Sequence, residues 1–250
     1  MASLWLVLAS ATHSHASQLT VAVAANFLEP LELLQPEFER ETGHSLRIVS
    51  GSTGKLYAQI VNGAPFDVFL SADQERPERL VNEGRAEPGS RFTYAVGQLI
   101  LWSPDASRDL TDGAKVLAAQ EFRKLALPNP QLAPYGLAAQ QVLEKLGLWT
   151  ALQGRIVMGE NVGQSYGFVA SGNAELGFVS LSSFQSEHTE QKGVFWAVPD
   201  DNHAPIRQDA VVLKRATENP ASLAFVTFLK GEATRKVLAR FGYKVEGKDG

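Results

Sequence analysis

Four stretches of the chain share a small, neutral, hydrogen-bonding composition. They are Ala24-Ala25-Asn26-Phe27, Ser50-Gly51-Ser52-Thr53-Gly54, Ala133-Pro134-Tyr135-Gly136 and Asn161-Val162-Gly163-Gln164-Ser165. Each stands where a helix is about to begin. The first N–H groups of a helix have no intrahelical partner and carry the positive end of its dipole, so they can hold an anion without a cationic side chain. Glycine lets the backbone approach a ligand closely, and Ser, Thr or Asn adds neutral donors. The chemistry open to these residues is capture of a small oxyanion. Any one junction alone reads better as an ordinary helix cap. The four together leave capping and anion binding evenly matched on the residues alone.

Other chemistry is excluded position by position. Gly54-Lys55 invites a phosphate-loop reading, but Val49 stands where the first glycine is required and Leu56 where Ser or Thr would hold magnesium. Lys55 is therefore expected on a helix surface. Asp67 and Asp73 could form a carboxylate pair; the plainer reading has Asp73 capping the following helix, Asp67 anchoring the start of a strand, and both facing away from an anion. His44, His188 and His203 lack ligand spacing, and His13 and His15 lie in a segment read below as a leader. Neither Ser52 nor Ser165 sits in a Gly-x-Ser-x-Gly elbow. With Cys 0 there is no disulfide, thiolate zinc site or cysteine nucleophile. No catalytic constellation and no site for a free metal cation is expected. A net charge of −4 opposes a general nucleic-acid binder, which needs a basic face.

The elements that must position these residues alternate, which indicates an α/β fold. Strands are expected at 19–24, 45–50 and 66–70, with helices at 29–42, 55–62 and 77–83, the pattern of a parallel sheet. Pro36 should kink or interrupt the first helix. A second series follows: strands at 98–102, 125–126, 155–158, 176–180 and 194–198, and helices at 137–146 and 166–170. A last strand at 210–213 precedes two C-terminal helices, the first capped by Asn219 with Pro220 behind it. Two α/β halves without a linker imply a chain that crosses between lobes, near 92–94 and again near 205–208. This divides the protein into lobe I (17–92 plus 208–250) and lobe II (93–207). Residues 1–16 read as a secretory signal remnant: a short apolar run, then the small pair Ser14 and Ala16, without a basic start. A frayed apolar arm is the alternative. No apolar run approaches the ~20 residues of a membrane span.

The junctions, together with Asn62-Gly63-Ala64-Pro65-Phe66-Asp67-Val68-Phe69-Leu70-Ser71-Ala72-Asp73, Asn129-Pro130-Gln131-Leu132 and Phe241-Gly242-Tyr243, carry a resemblance over the whole mature chain. It resembles the molybdate-binding periplasmic proteins of ABC transporters. That resemblance implies a two-lobed periplasmic-binding-protein fold of type II, two α/β domains on a two-crossover hinge with the ligand in the cleft. It implies a site made of Ala25, Asn26, Ser52, Thr53, Tyr135 and Val162, holding molybdate or tungstate, with molybdenum present only as the oxyanion and no cofactor. Ala25 departs from relatives that have Thr there. Ser180 stands where others place a ligand-binding Tyr, and Tyr135 takes that part here. Also implied are a periplasmic location, a membrane permease as partner, no enzymatic activity, no nucleic acid, no membrane insertion and a monomeric state. A sulfate-type binder and a cytosolic oxyanion-sensing effector domain are the alternatives.

Overall fold

The computed structural model describes residues 16–186 and 193–245. The expected leader and His188 lie outside these residues. In the first half, β1 (Gln18–Ala24), α1 (Leu28–Thr42), β2 (Ser45–Gly51), α2 (Thr53–Val61), β3 (Val68–Leu70), α3 (Glu75–Asn82) and β4 (Phe92–Gly97) follow in order. Next come β5 (Leu99–Ser103), α4 (Gly113–Ala119), β6 (Leu125–Pro128), α5 (Pro134–Lys145), α6 (Trp149–Leu152) and β7 (Ile156–Gly159). The chain continues through α7 (Val162–Ala170), β8 (Leu176–Ser180), α8 (Leu181–Phe184) and β9 (Val194–Ala197). It ends with β10 (Ile206–Val212), α9 (Pro220–Leu229) and α10 (Glu232–Arg240).

Among the described residues two five-stranded sheets result, ordered β2-β1-β3-β10-β4 and β7-β6-β8-β5-β9. In the first, β1 runs parallel to β2 and β3, while β10 is antiparallel to β3 and β4. In the second, β6 is parallel to β7 and β8, and β5 is antiparallel to β8 and β9. Strand alternation sends the apolar side chains at the centre of the first sheet to two cores. Leu19, Val21, Val23, Val68 and Leu70 pack with Phe27, Leu31, Phe38 and Phe225 on one face. Ala22, Phe69 and Val211 pack with Leu56 and Ile60 of α2 on the other. Helices therefore cover both faces, which is why β3 and the ends of β1 and β10 read as apolar runs without alternation.

The chain passes from the first sheet to the second between Gly97 and Leu99 and returns in the segment 198–205. The crossings expected near 92–94 and 205–208 coincide with the start of β4 and of β10, two strands paired along Ile206–Ala210 and Phe92–Gly97.

Local readings need correction at several helix starts. α1 runs through Pro36 without interruption. Proline there removes one N–H and the bond it would give to the Glu32 carbonyl, but Pro36 and Glu32 are both exposed, so water can take that place. α2, α5 and α7 begin two, three and four residues earlier than expected, at Thr53, Pro134 and Val162 rather than 55, 137 and 166. The junction residues are themselves the first helical turn, and a first turn that faces a cleft has no apolar periodicity to betray it. α4 was not foreseen; Asp112 caps it by accepting the Lys115 N–H at 3.1 Å.

Candidate functional site

The four polar junctions all lie at the carboxyl ends of strands: β1, β2, β6 and β7 lead into the turn at Ala25, α2, α5 and α7. This is where open α/β sheets gather ligand-binding groups. Ala25, Asn26, Ser52, Thr53, Tyr135 and Val162 line one small cavity, with Gly51, Ala72, Pro134 and Asn161 among its other walls. Among the described residues lining it, none is Lys, Arg, His, Asp or Glu.

Its hydroxyls share one arrangement. Ser52 caps α2, its Oγ accepting the Lys55 N–H at 3.4 Å. Thr53 Oγ1 accepts the Ala72 N–H at 3.1 Å, and Tyr135 Oη accepts from Gln208 Nε2 at 3.2 Å. A hydroxyl that accepts from the protein retains its own proton to give. All three residues are buried. Burial also pushes the Tyr135 phenol well above its ordinary range, so it stays a donor at any physiological pH.

Backbone groups complete the set. Ala25 opens a 3-10 turn, Ala25–Phe27, ahead of α1. Val162 is the first residue of α7, whose cap, Asn161 Oδ1, accepts the Gln164 N–H at 3.0 Å. Asn26 is held firmly: its Nδ2 donates to Gln208 Oε1 at 2.8 Å and to Tyr243 Oη at 2.9 Å. Its carbonyl accepts from Tyr243 Oη at 2.8 Å and from Ser182 Oγ at 3.0 Å. Both amide hydrogens are thus engaged within the protein, and the donor Asn26 can offer without breaking those bonds is its backbone N–H.

Contacts bridge the two halves around the cavity. The Gly54 N–H donates to the Leu132 carbonyl at 2.8 Å, Arg76 Nη2 donates to the Gln131 carbonyl at 3.2 Å, and Lys55 Nζ pairs with Glu160 at 3.1 Å. Lys55 sits on a helix surface, half exposed, and bridges the cleft. Asp73 accepts the Arg76 N–H at 3.1 Å in the first turn of α3 and pairs with the Arg76 guanidinium; Asp67 accepts the Thr20 N–H at 2.7 Å and pairs with Arg215. Neither carboxylate lines the cavity. Among the described residues no three His, Cys, Asp or Glu side chains are grouped to hold a metal ion, and no helix is long and apolar enough to cross a membrane.

Residues 19–244 match the pattern of the bacterial extracellular solute-binding proteins. The chain belongs to that family. This solute-binding protein is 47% identical, over 93% of its length and 92% of the relative's, to the molybdate-binding protein ModA of Azotobacter vinelandii. It is 42% identical to the ModA of Rhodobacter capsulatus, over 98% and 95% of the two chains. The solved Azotobacter vinelandii periplasmic molybdate-binding protein superposes with a TM-score of 0.85 at 46% identity, covering 91% of this chain and 99% of that one. The two-lobed α/β fold expected from the resemblance is therefore established.

Sequence reasoning missed the groups that support the cavity of this solute-binding protein. Gln208, Tyr94 and Tyr243 are buried: Gln208 is hydrogen-bonded to Asn26, Tyr135 and Tyr94, and Tyr243 to Asn26. One signal was available: Gln208 and Asp209 are polar residues directly before the apolar run of β10. Gly97 was also overlooked. A methyl group there would overlap Tyr135 Oη and come within 2.7 Å of Gln208 Nε2.

Proposed function

We propose that this protein captures molybdate, or the similarly sized tungstate, in the periplasm and delivers it to the membrane permease of an ABC transporter. The observation that carries the reading is a cavity whose walls, drawn from both sheets, offer neutral donors and no charged side chain. The names of the relatives at 47% and 42% identity support the same ligand, and the family description supports a location outside the cytoplasm. In this reading Ser52, Thr53 and Tyr135 give hydroxyl protons and Ala25, Asn26 and Val162 give backbone N–H groups. Molybdate is a full dianion at neutral pH and presents only acceptors, so a site made of donors satisfies it. Hydrogen phosphate brings a proton that meets no acceptor, which costs about 1–3 kcal/mol when buried. Sulfate has no proton and is rejected by size, since its shorter bonds leave donors out of reach. The protein works as a monomer by binding and release, making and breaking no covalent bond. Its lobes close on the ligand about the two passages between the sheets.

Competition among molybdate, tungstate, sulfate and phosphate, followed by tryptophan fluorescence, tests the proposal. Molybdate and tungstate should displace one another, with phosphate and sulfate at least about tenfold weaker, the equivalent of ~1.4 kcal/mol. Sulfate binding as tight as molybdate would overturn the specificity.

A further inference from the structure

Gln208 is fully buried in β10, beside the irregularity between Gln208 and Asp209 where the register against β4 shifts. Such an irregularity re-aims a side chain. The Gln208 carbonyl oxygen accepts from Asn26 Nδ2 at 2.8 Å and from Tyr94 Oη at 3.0 Å. Tyr94 has one proton, shared with the Ser71 carbonyl at 3.2 Å, so it is the Asn26 donor that orients the amide and turns its nitrogen to Tyr135 Oη, 3.2 Å away. The amide thus touches the turn before α1, β4 and α5, spanning both halves of the molecule. Gly97, where the chain leaves the first sheet, provides the room: any side chain there would strike both Tyr135 and Gln208.

We propose that Gln208 is a positioning residue for the oxyanion site. By donating to Tyr135 it fills an acceptor position on the phenol and forces the phenol's proton outward to the bound anion. The inference rests on the oxyanion reading of the cavity. An acceptor in place of the amide nitrogen would take the Tyr135 proton for itself, and the site would lose a donor although every heavy atom stayed in place. Gln208 thereby sets the direction of a hydrogen bond it does not make, and it does so only while both sheets hold their present arrangement.

The variant Gln208→Glu separates this role from packing. Protonated, the new side chain can accept through one oxygen and donate to Tyr135 through the other, as glutamine does. Ionised, it offers acceptors only and draws the phenol's proton inward. The phenols around it stay protonated across neutral pH. Burial pushes Tyr94, Tyr135 and Tyr243 upward, Asp209 is paired with Arg91 at 2.8 Å, and Asp73 is paired with Arg76. Molybdate affinity of the full chain is measured by calorimetry from pH 5.5 to 8.5. Wild type should stay flat, while Gln208→Glu should bind at least about tenfold more weakly at the alkaline end and recover most of that loss at the acid end. Tyr135→Phe should be weak and flat throughout. Tyr135→Phe should also cost less in a Gln208→Leu background than in wild type. A Gln208→Glu profile parallel to wild type, together with a Tyr135→Phe cost that is equal in the Gln208→Leu and wild-type backgrounds, overturns the inference and leaves the oxyanion reading standing; a wild-type chain that binds no molybdate overturns both. If Gln208→Glu gives no cooperative thermal melt, the Gln208→Leu comparison decides alone, and equal costs overturn the inference.

Discussion

A hydroxyl serves an anion only if its own proton is not committed elsewhere, and this condition sorts the serines and threonines of the chain. Ser52 and Thr53 each accept a backbone N–H. Ser180 also stands at a helix start, but it is tied into a cluster with Ser182 and Ser183 and does not line the cavity. Ala25 has no hydroxyl and can offer only backbone. Thr53→Val tests the principle most cleanly, because valine keeps the shape and removes the hydroxyl. A hydrogen bond to a charged partner contributes about 1.5–3 kcal/mol, so molybdate affinity should fall about 10- to 150-fold by titration calorimetry. The Ala72 N–H also loses its acceptor, so the ligand-free melting temperature should fall as well. Unchanged affinity would remove Thr53 from the site. Residue identity alone could nominate Thr53; that its oxygen receives Ala72 could not be read from sequence, since the two are joined only when β3 pairs with β1.

Among the elements, the helix N-termini set the geometry and the strands bring them together. β1 with β2, and β6 with β7, are parallel pairs, so each pair delivers two helix starts to one end of its sheet. The apolar strands were legible from β-branched runs, and the last helix pair from Asn219-Pro220 and Gly231. The first turns of α2, α5 and α7 were not, because polar residues that face a cleft look like loop. Asn161 bears on both stability and site. Asn161→Ala removes the cap of α7 at a cost of about 1 kcal/mol, which should lower the melting temperature by about 2–4 °C in a chain of this size. It should also weaken molybdate binding severalfold, because the fraying turn carries the Val162 N–H. A variant that melts earlier yet binds at full strength would show that α7 contributes structure and no donor.

At the scale of the whole molecule, three buried phenols sit at the junction of the two sheets: Tyr94 on β4, Tyr135 on α5 and Tyr243 after α10. Burial raises all three, with the neighbouring phenols adding for Tyr94 and Tyr135. The sign follows from proton counting. Above about pH 10 an unfolded chain sheds these protons and the folded one keeps them, so stability present below that pH is lost as pH rises. Each phenol contributes a slope of about 1.4 kcal/mol per pH unit, or about 4 for the three together. Urea unfolding midpoints should therefore drop steeply between pH 9.5 and 11, and Tyr94→Phe should flatten the drop by about a third. A midpoint that ignores pH in this interval would mean that the phenols are reached by solvent.

The sequence by itself determined the two α/β series, the candidate oxyanion residues and the absence of thiol chemistry, because periodicity, capping residues and composition are local properties of the chain. It also carried the resemblance that named a ligand class. Only the tertiary structure decided how those residues act. Gln208 lies 73 positions from Tyr135 and 182 from Asn26, and no local pattern links them. Which proton of a hydroxyl or amide is free depends on what packs against it, and that is set when β4 and β10 pair and the second sheet folds back on the first. The same dependence explains Asn26, nominated as a side-chain donor and found with both amide hydrogens bound inside the protein.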